Sequence, residues 1–251
     1  MEKRQTCDLA GIWRFEIDKE DRGFAEHWEK RRLTQTITLP GCLQAQGYGD
    51  AISEDTPWVQ SLYDALWYQR GEYAYAQENG TKVPFLSQPP RHYTGKAWYQ
   101  KTIFVPEKSD GFVGRLTLEN TKWKTTLWID GECKGSIVSL CAPHVYETGA
   151  LSAGEHIVTL CIDNGWQLPY RPDGHGVSDA LGATWNGVAG AITLELFNRV
   201  WIERVWVNAQ LPNAAIQVHL KNETSHTQNC IVRVQDIART DISAETICVL
   251  T

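Results

Sequence analysis

Residues 171–190 read RPDGHGVSDALGATWNGVAG and gather the side chains of this chain best suited to chemistry. Two acids, Asp173 and Asp179, and one histidine, His175, sit among glycines that free the backbone to turn. A Trp-Asn-Gly step at 185–187 then leads into the apolar run AITLELF. An ionised carboxylate accepts hydrogen bonds, an imidazole donates or accepts, and an indole offers a flat apolar face with a polar edge. These are the parts of a ligand-facing loop, with Asp179, His175, Trp185 and Asn186 as its candidate binding residues. A long, well-anchored surface loop without a ligand is the competing expectation.

Two other chemistries fit less well. Asp173, His175 and Asp179 could be read as metal ligands, but no further histidine or cysteine spacing supports a metal. Ser178 and His175 could be read as nucleophile and base, yet Ser178 is outside any Gly-x-Ser-x-Gly elbow between strand and helix. No cofactor is expected.

The elements that must position this loop read as strands. LAGIWRFEI, residues 9–17, places Leu9, Gly11, Trp13, Phe15 and Ile17 on one face, predicting an opening strand. Phe24 and Trp28 are four apart, which predicts a short helix or turn lying against the sheet. Residues 34–39 predict a strand ended by Pro40-Gly41, and residues 43–58 a loop. From Ala97 onward AWYQKTIFVP, GRLTLENT, KTTLWIDGECKG and HIVTLCIDN are short runs rich in β-branched and aromatic residues, with Asp130-Gly131 as a hairpin tip. With hardly any helical periodicity between them, they predict an all-β sandwich or jelly roll rather than βαβ units. Residues 56–93 carry eight aromatics in a Gln, Pro and Gly background, and this irregular stretch predicts either a binding-site wall or a covering flap.

After Asn198 come VWIERVWVNAQ, IQVHLKN and NCIVRVQDIA, alternating strands that resemble the start of a second sandwich. An immunoglobulin-like sandwich needs roughly 100 residues. The shorter stretch here predicts an uncovered apolar face and open strand edges, hence self-association.

Composition narrows the function classes. The 251 residues hold 24 Lys and Arg against 30 Asp and Glu, a net charge of -6, which argues against nucleic acid as a partner. No apolar run approaches the roughly 18 residues of a membrane span, so no membrane partner is expected. The N-terminus lacks the apolar core of a signal peptide, leaving a cytoplasmic protein or a mature form as the expectation. Asn79-Gly-Thr81 and Asn222-Glu-Thr224 match the glycosylation pattern, which matters only in a secretory host. Seven cysteines without a Cys-x-x-Cys pair suggest neither zinc nor a disulfide framework, and Cys141 and Cys161 read as small hydrophobes in strand-like runs. Eleven tryptophans suit a core, or the stacking of sugar rings.

Taken together, LAGIWRF, LPGCLQAQGYGD, AWYQKTIFVP, the long run from NTKWKTTLWIDGECKG to HIVTLCIDN, and SDALGATWNGVAGAITLEL resemble the N-terminal sugar-binding domain of glycoside hydrolase family 2. That family includes β-galactosidases, β-glucuronidases and β-mannosidases. The resemblance spans residues 9–197, and the tail from Asn198 is similar to the start of the family's next, immunoglobulin-like domain. It implies a jelly-roll, galactose-binding-like sandwich over 1–197 followed by a partial immunoglobulin-like sandwich over 198–251.

In the family a (β/α)₈ barrel follows, carrying the acid/base and nucleophile glutamates of a retaining mechanism roughly 5 Å apart. This chain ends before any such barrel, so the resemblance implies no catalytic residue here. The Asn222-Glu223 pair mimics the family's acid/base step but ends the strand IQVHLKN and lacks an assignable partner glutamate. What the resemblance implies instead is a supporting role: a jelly-roll loop reaches the barrel mouth, and Asp179 matches the acid that hydrogen-bonds sugar hydroxyls there. His175 would donate to the same sugar, and Trp185 flanks it. The expected partner is therefore a glycan, bound through a β-linked non-reducing end. A free-standing carbohydrate-binding module and a structural interaction domain are the alternatives.

Overall fold

The computed structural model describes residues 4–51, 90–169, 184–210, 212–236, 238 and 243–250. In chain order the strands are β1 (Gln5–Asp8), β2 (Gly11–Asp18), β3 (Gln35–Leu39), β4 (Gly41–Cys42), β5 (Lys96–Val105), β6 (Phe112–Leu118), β7 (Thr121–Lys122), β8 (Lys124–Ile129) and β9 (Glu132–Val138). They continue as β10 (His144–Leu151), β11 (Gly154–Asp163), β12 (Gly187–Val188), β13 (Ile192–Phe197), β14 (Val200–Gln210), β15 (Asn213–Asn222), β16 (Gln228–Gln235) and β17 (Ser243–Leu250). Helical structure among the described residues is confined to short 3-10 turns. The protein is an all-β sandwich.

Two antiparallel sheets form its body, one of four strands in the order β1-β13-β6-β10 and one of six in the order β3-β2-β5-β11-β8-β9. The period-2 pattern explains why they face each other. Trp13 and Phe15 of β2, Tyr99 of β5 and Leu160 of β11 point inward from the six-stranded sheet, where they meet Leu116 and Leu118 of β6 and Leu194 and Leu196 of β13. Ile12, the neighbour of Trp13 on the opposite face of β2, is turned outward and exposed. The predicted opening strand is β2, in the six-stranded sheet; a further strand that the sequence reading did not include, β1, precedes it in the four-stranded sheet, and the chain crosses between layers at Leu9-Ala10. Asp130 and Gly131, at φ 52° and 80°, form the hairpin tip between β8 and β9, the left-handed pair that a two-residue turn of this twist requires.

The outer face of the six-stranded sheet is partly roofed. Trp28 and Leu33 close over Trp98, Trp128 and Cys161, with Trp98 and Trp128 stacked at 5.0 Å. Asp18 anchors this roof by accepting from the backbone N–H of Arg22 and Gly23, both at 2.8 Å, and from the Trp98 indole at 3.1 Å. Phe24 and Trp28 both reach Trp98, as their spacing predicts, although the segment is a string of turns ending in the 3-10 turn Trp28–Lys30. Cys161 is buried as expected; Cys141 is exposed, because Ser139 to Pro143 connects β9 and β10 instead of continuing a strand.

Beyond Phe197 the strands of the described residues pair only locally, β14 with β15 and β16 with β17. Trp201 packs with Val113 and Phe197 at the start of this region. Farther along, Trp206 is 56% exposed, Ile231 63% and Ile247 76%. On β16 and β17 the face of Cys230, Val232, Cys248 and Leu250 is half-buried, and the opposite face, with Ile231 and Ile247, has no cover among the described residues.

Cys230 of β16 and Cys248 of β17 are register partners, both free and half-buried. Opposed residues of an antiparallel pair hold their Cα atoms about 4.5–5.5 Å apart, within the roughly 4.4–6.8 Å window of a disulfide. Treatment with excess oxidised glutathione is expected to oxidise these two thiols to a disulfide while the glutathione disulfide is reduced to two thiols. Peptide mapping should find the Cys230–Cys248 link, and the closed loop should stabilise the hairpin by about 3 kcal/mol. If both cysteines still react with an alkylating agent afterwards, the register is wrong.

Candidate functional site

The 171–190 stretch lies between β11 and β12 in the chain, and of it residues 184–190 are described. Its two described feet are held together by a buried polar network. Asn164, just past β11, donates from Nδ2 to the Tyr93 carbonyl at 2.9 Å and to Thr184 Oγ1 at 3.2 Å, while its Oδ1 accepts from Gly95 N–H at 2.9 Å. Asn164 and Thr184 thus tie the outgoing chain to the returning one. Trp166, next to the outgoing foot, meets Trp123 edge to face at 5.2 Å.

Asn186 is the hub of this network and is fully buried. Its Oδ1 accepts from the Tyr99 hydroxyl at 2.7 Å, and its Nδ2 donates to the carbonyls of Ile162 at 2.9 Å and Gly95 at 3.0 Å. Its backbone N–H donates to Gln44 Oε1 at 3.1 Å and its carbonyl accepts from Leu43 N–H at 2.9 Å. Burial pushes the Tyr99 phenol well above its usual range, so Tyr99 stays a neutral donor at physiological pH. Tyr93 is raised for the same reason and donates to the Lys96 carbonyl.

The next residue, Gly187, pairs with Cys42 of β4 and Lys122 of β7, so two short strands clamp the returning foot from either side. Gly187 has φ +142°, and a Cβ there would stand 2.2 Å from the Gly41 carbonyl oxygen. The backbones touch because no side chain separates them.

Of the four candidate binding residues, Trp185 and Asn186 are adjacent on the returning foot, and Asp179 and His175 lie outside the described residues. Trp185 is half-buried. Asn186 does not face a surface: its side-chain amide is occupied by Tyr99 and backbone carbonyls, which makes it a positioning residue for the loop. Sequence reasoning missed Gln44, Tyr93, Tyr99 and Asn164. The one signal available was the Asp163-Asn164-Gly165 turn step, because the other partners lie 49 to 142 residues apart in sequence.

Asn222 and Glu223 do turn work. Asn222 Oδ1 accepts from Thr224 N–H at 2.9 Å and Oγ1 at 2.6 Å, and Glu223 pairs with Lys221 at 2.9 Å. Among the described residues no group of three or more His, Cys, Asp or Glu could hold a metal ion, and no helix is long and apolar enough to cross a membrane. Asp173 and Ser178, weighed above for metal and nucleophile roles, lie outside the described residues.

The architecture is that of an all-β sandwich protein whose loop feet are locked at one end. A β-glucuronidase from Paenibacillus borealis is 26% identical over 170 residues, covering 65% of this chain and 22% of that protein. The β-glucuronidase of an uncultured Clostridium species superposes with a TM-score of 0.63 at 14% identity, over 99% of this chain and 40% of the other. Ruminococcus gnavus β-glucuronidase gives 0.62 at 15% identity, over 99% and 39%. No family model matches the chain. These likenesses relate the chain to β-glucuronidases of the glycoside hydrolase family 2 type at superfamily level, and it spans less than half the length of each.

Proposed function

We propose that this chain is the N-terminal, non-catalytic part of a retaining exo-β-glycosidase, of β-glucuronidase type with β-galactosidase as the alternative. In this reading a jelly-roll domain over 1–197 is followed by the first part of an immunoglobulin-like sandwich over 198–251, whose open apolar face drives self-association when nothing covers it. The observation that carries the reading is coverage: 99% of this chain superposes on about 40% of a β-glucuronidase. An all-β sandwich cannot supply the paired glutamates of a barrel, so its contribution is recognition.

The locked neck supports this role. A binding loop needs a rigid base so that its tip returns to one position, and the Asn164, Thr184 and Asn186 bonds form such a base. Asp179, on the loop, holds paired sugar hydroxyls at the mouth of a neighbouring barrel, with His175 as donor and Trp185 as an apolar flank.

The test compares this chain with a form extended past Thr251 in its source reading frame, using nitrophenyl β-glycosides. The 251-residue chain is expected to cleave none, and the longer form to cleave the β-glucuronide. In the longer form Asp179→Ala should lower kcat/KM about 10- to 100-fold, the worth of one charge-assisted hydrogen bond to substrate. Turnover by the short chain alone, lost on Glu223→Ala or Asp179→Ala, would overturn the proposal. A free-standing binding module would instead bind a glycan tightly without any extension.

A further inference from the structure

The roof of residues 23–33 covers part of the six-stranded sheet's outer face, over Trp98, Trp128 and Cys161. Beyond its edge a groove of about 590 Å³ crosses β2, β5 and β11. Five cations line it: Arg14, Lys30, Arg31, Arg32 and Lys101, against one acid, Glu29. In a chain of net charge -6 this concentration of one sign stands against the overall balance.

Arg31 is neutralised by Glu16, which takes its guanidinium with both carboxylate oxygens. The other four cations make no salt bridge among the described residues, although the Asp8 carboxylate acts on Lys101 from farther off. Arg14 donates to the Leu33 carbonyl at 2.9 Å, and Lys101 to the carbonyls of Ala10 and Ile12, each at 3.2 Å. Carbonyl oxygens satisfy hydrogen bonds without cancelling charge. Lys30 and Arg32 are exposed. Burial holds the Lys101 ammonium below the usual lysine range, a cost that an arriving anion would relieve. Glu29 is turned to His27 at 3.0 Å. Between the cations the floor is apolar, with Ile12 70% and Ile157 46% exposed, and Gln100 and Thr102 add polar groups beside it.

The groove is separate from the loop neck. On β5 it takes in Gln100, the neighbour of the neck residue Tyr99, but Tyr99 points into the core and Gln100 to the other face of the strand; Thr102 and Ile157, farther along, are six residues from Lys96 and Asp163 at the neck end, or about 20 Å.

We propose that this groove is a second binding site, for an acidic oligosaccharide whose carboxylate or sulfate groups pair with Lys30, Arg32 and Arg14 while its sugar rings lie on Ile12 and Ile157. A volume of this size suits a short oligosaccharide. The assignment of a glycan over other anions rests on the carbohydrate reading above; the anion site stands on the groove alone.

The test is calorimetric titration of the 251-residue chain with tetragalacturonate, cellotetraose and tetraglutamate, each at low salt and at high salt. Tetragalacturonate should bind, weaken with salt, and bind at least tenfold more tightly than neutral cellotetraose. The double variant Lys30→Glu, Arg32→Glu should lose about tenfold or more, since it reverses two exposed charges and touches no core. Its melting curve should match that of the parent.

Equal binding by the double variant, or no binding of any probe, overturns the site. Tighter binding of tetraglutamate overturns the glycan and assigns an acidic peptide. In the longer protein the same variant should leave nitrophenyl glycoside hydrolysis unchanged. A failed titration therefore leaves the glycosidase reading intact, and a failed hydrolysis leaves the anion site intact.

Discussion

Replacing Asn186 with alanine is expected to destabilise the sandwich by about 4 kcal/mol and to lower its Tm by about 10 °C. The effect comes from what is left behind. Without the amide, the Tyr99 hydroxyl loses its acceptor at 2.7 Å and the Ile162 carbonyl a donor at 2.9 Å, while the Gly95 carbonyl loses a donor at 3.0 Å and keeps only the Asn164 N–H at 3.3 Å. Each buried group orphaned this way costs about 1–3 kcal/mol, and burial at this position denies water as a replacement. Tyr99→Phe in the same background removes one orphan, so the double variant should lose less than the sum of the two single losses. Thermal melts of the four proteins test this. A single variant within about 1 kcal/mol of the parent would show that the network does not carry the neck.

Gly187→Ala should be comparably damaging, at about 3–5 kcal/mol, for a steric reason. The added methyl would stand 2.2 Å from the Gly41 carbonyl oxygen and 2.9 Å from Cys42 Cα, and backbone atoms cannot rotate aside. The φ of +142° is strained for any residue with a side chain. The expected local result is loss of the β4-β12 pairing, which holds the returning foot of the loop. Melting temperature and amide exchange at Leu43, whose N–H donates to the Asn186 carbonyl, report the two levels of damage. In the longer protein the same substitution should reduce glycoside turnover along with Asp179→Ala, because both act on one loop. A variant that melts like the parent would mean that β4 yields easily and is no clamp.

The same two residues show how far sequence reasoning reached. Trp-Asn-Gly was recognisable as a special step because glycine before an apolar run signals a turn or close approach. Its polarity suggested a ligand, whereas Asn186 turned out to be buried. An asparagine in a loop has the same local pattern whether it faces a sugar or a carbonyl, and only the arrival of Tyr99 and Gln44 from distant segments separates the two. The Asn222-Glu223 step ends a strand in the sequence, and its bonds to Thr224 and Lys221 are those of a turn. Cys141 was misplaced because SLCAP has strand-like composition, while Pro143 next to β10 makes it a connection.

What the sequence by itself determined is most of the longer strands, the inward face of β2 and the tip at Asp130-Gly131, though not β1, β10 or β17. These follow from period-2 alternation and turn residues, which act over a few positions. Tertiary structure alone decided that Asn164, Thr184 and Asn186 close one neck and that Arg14, Lys30, Arg32 and Lys101 line one groove. It also decided that Cys230 faces Cys248. Such meetings depend on strand order and register, and one residue of slip would turn every one of those side chains to the opposite face.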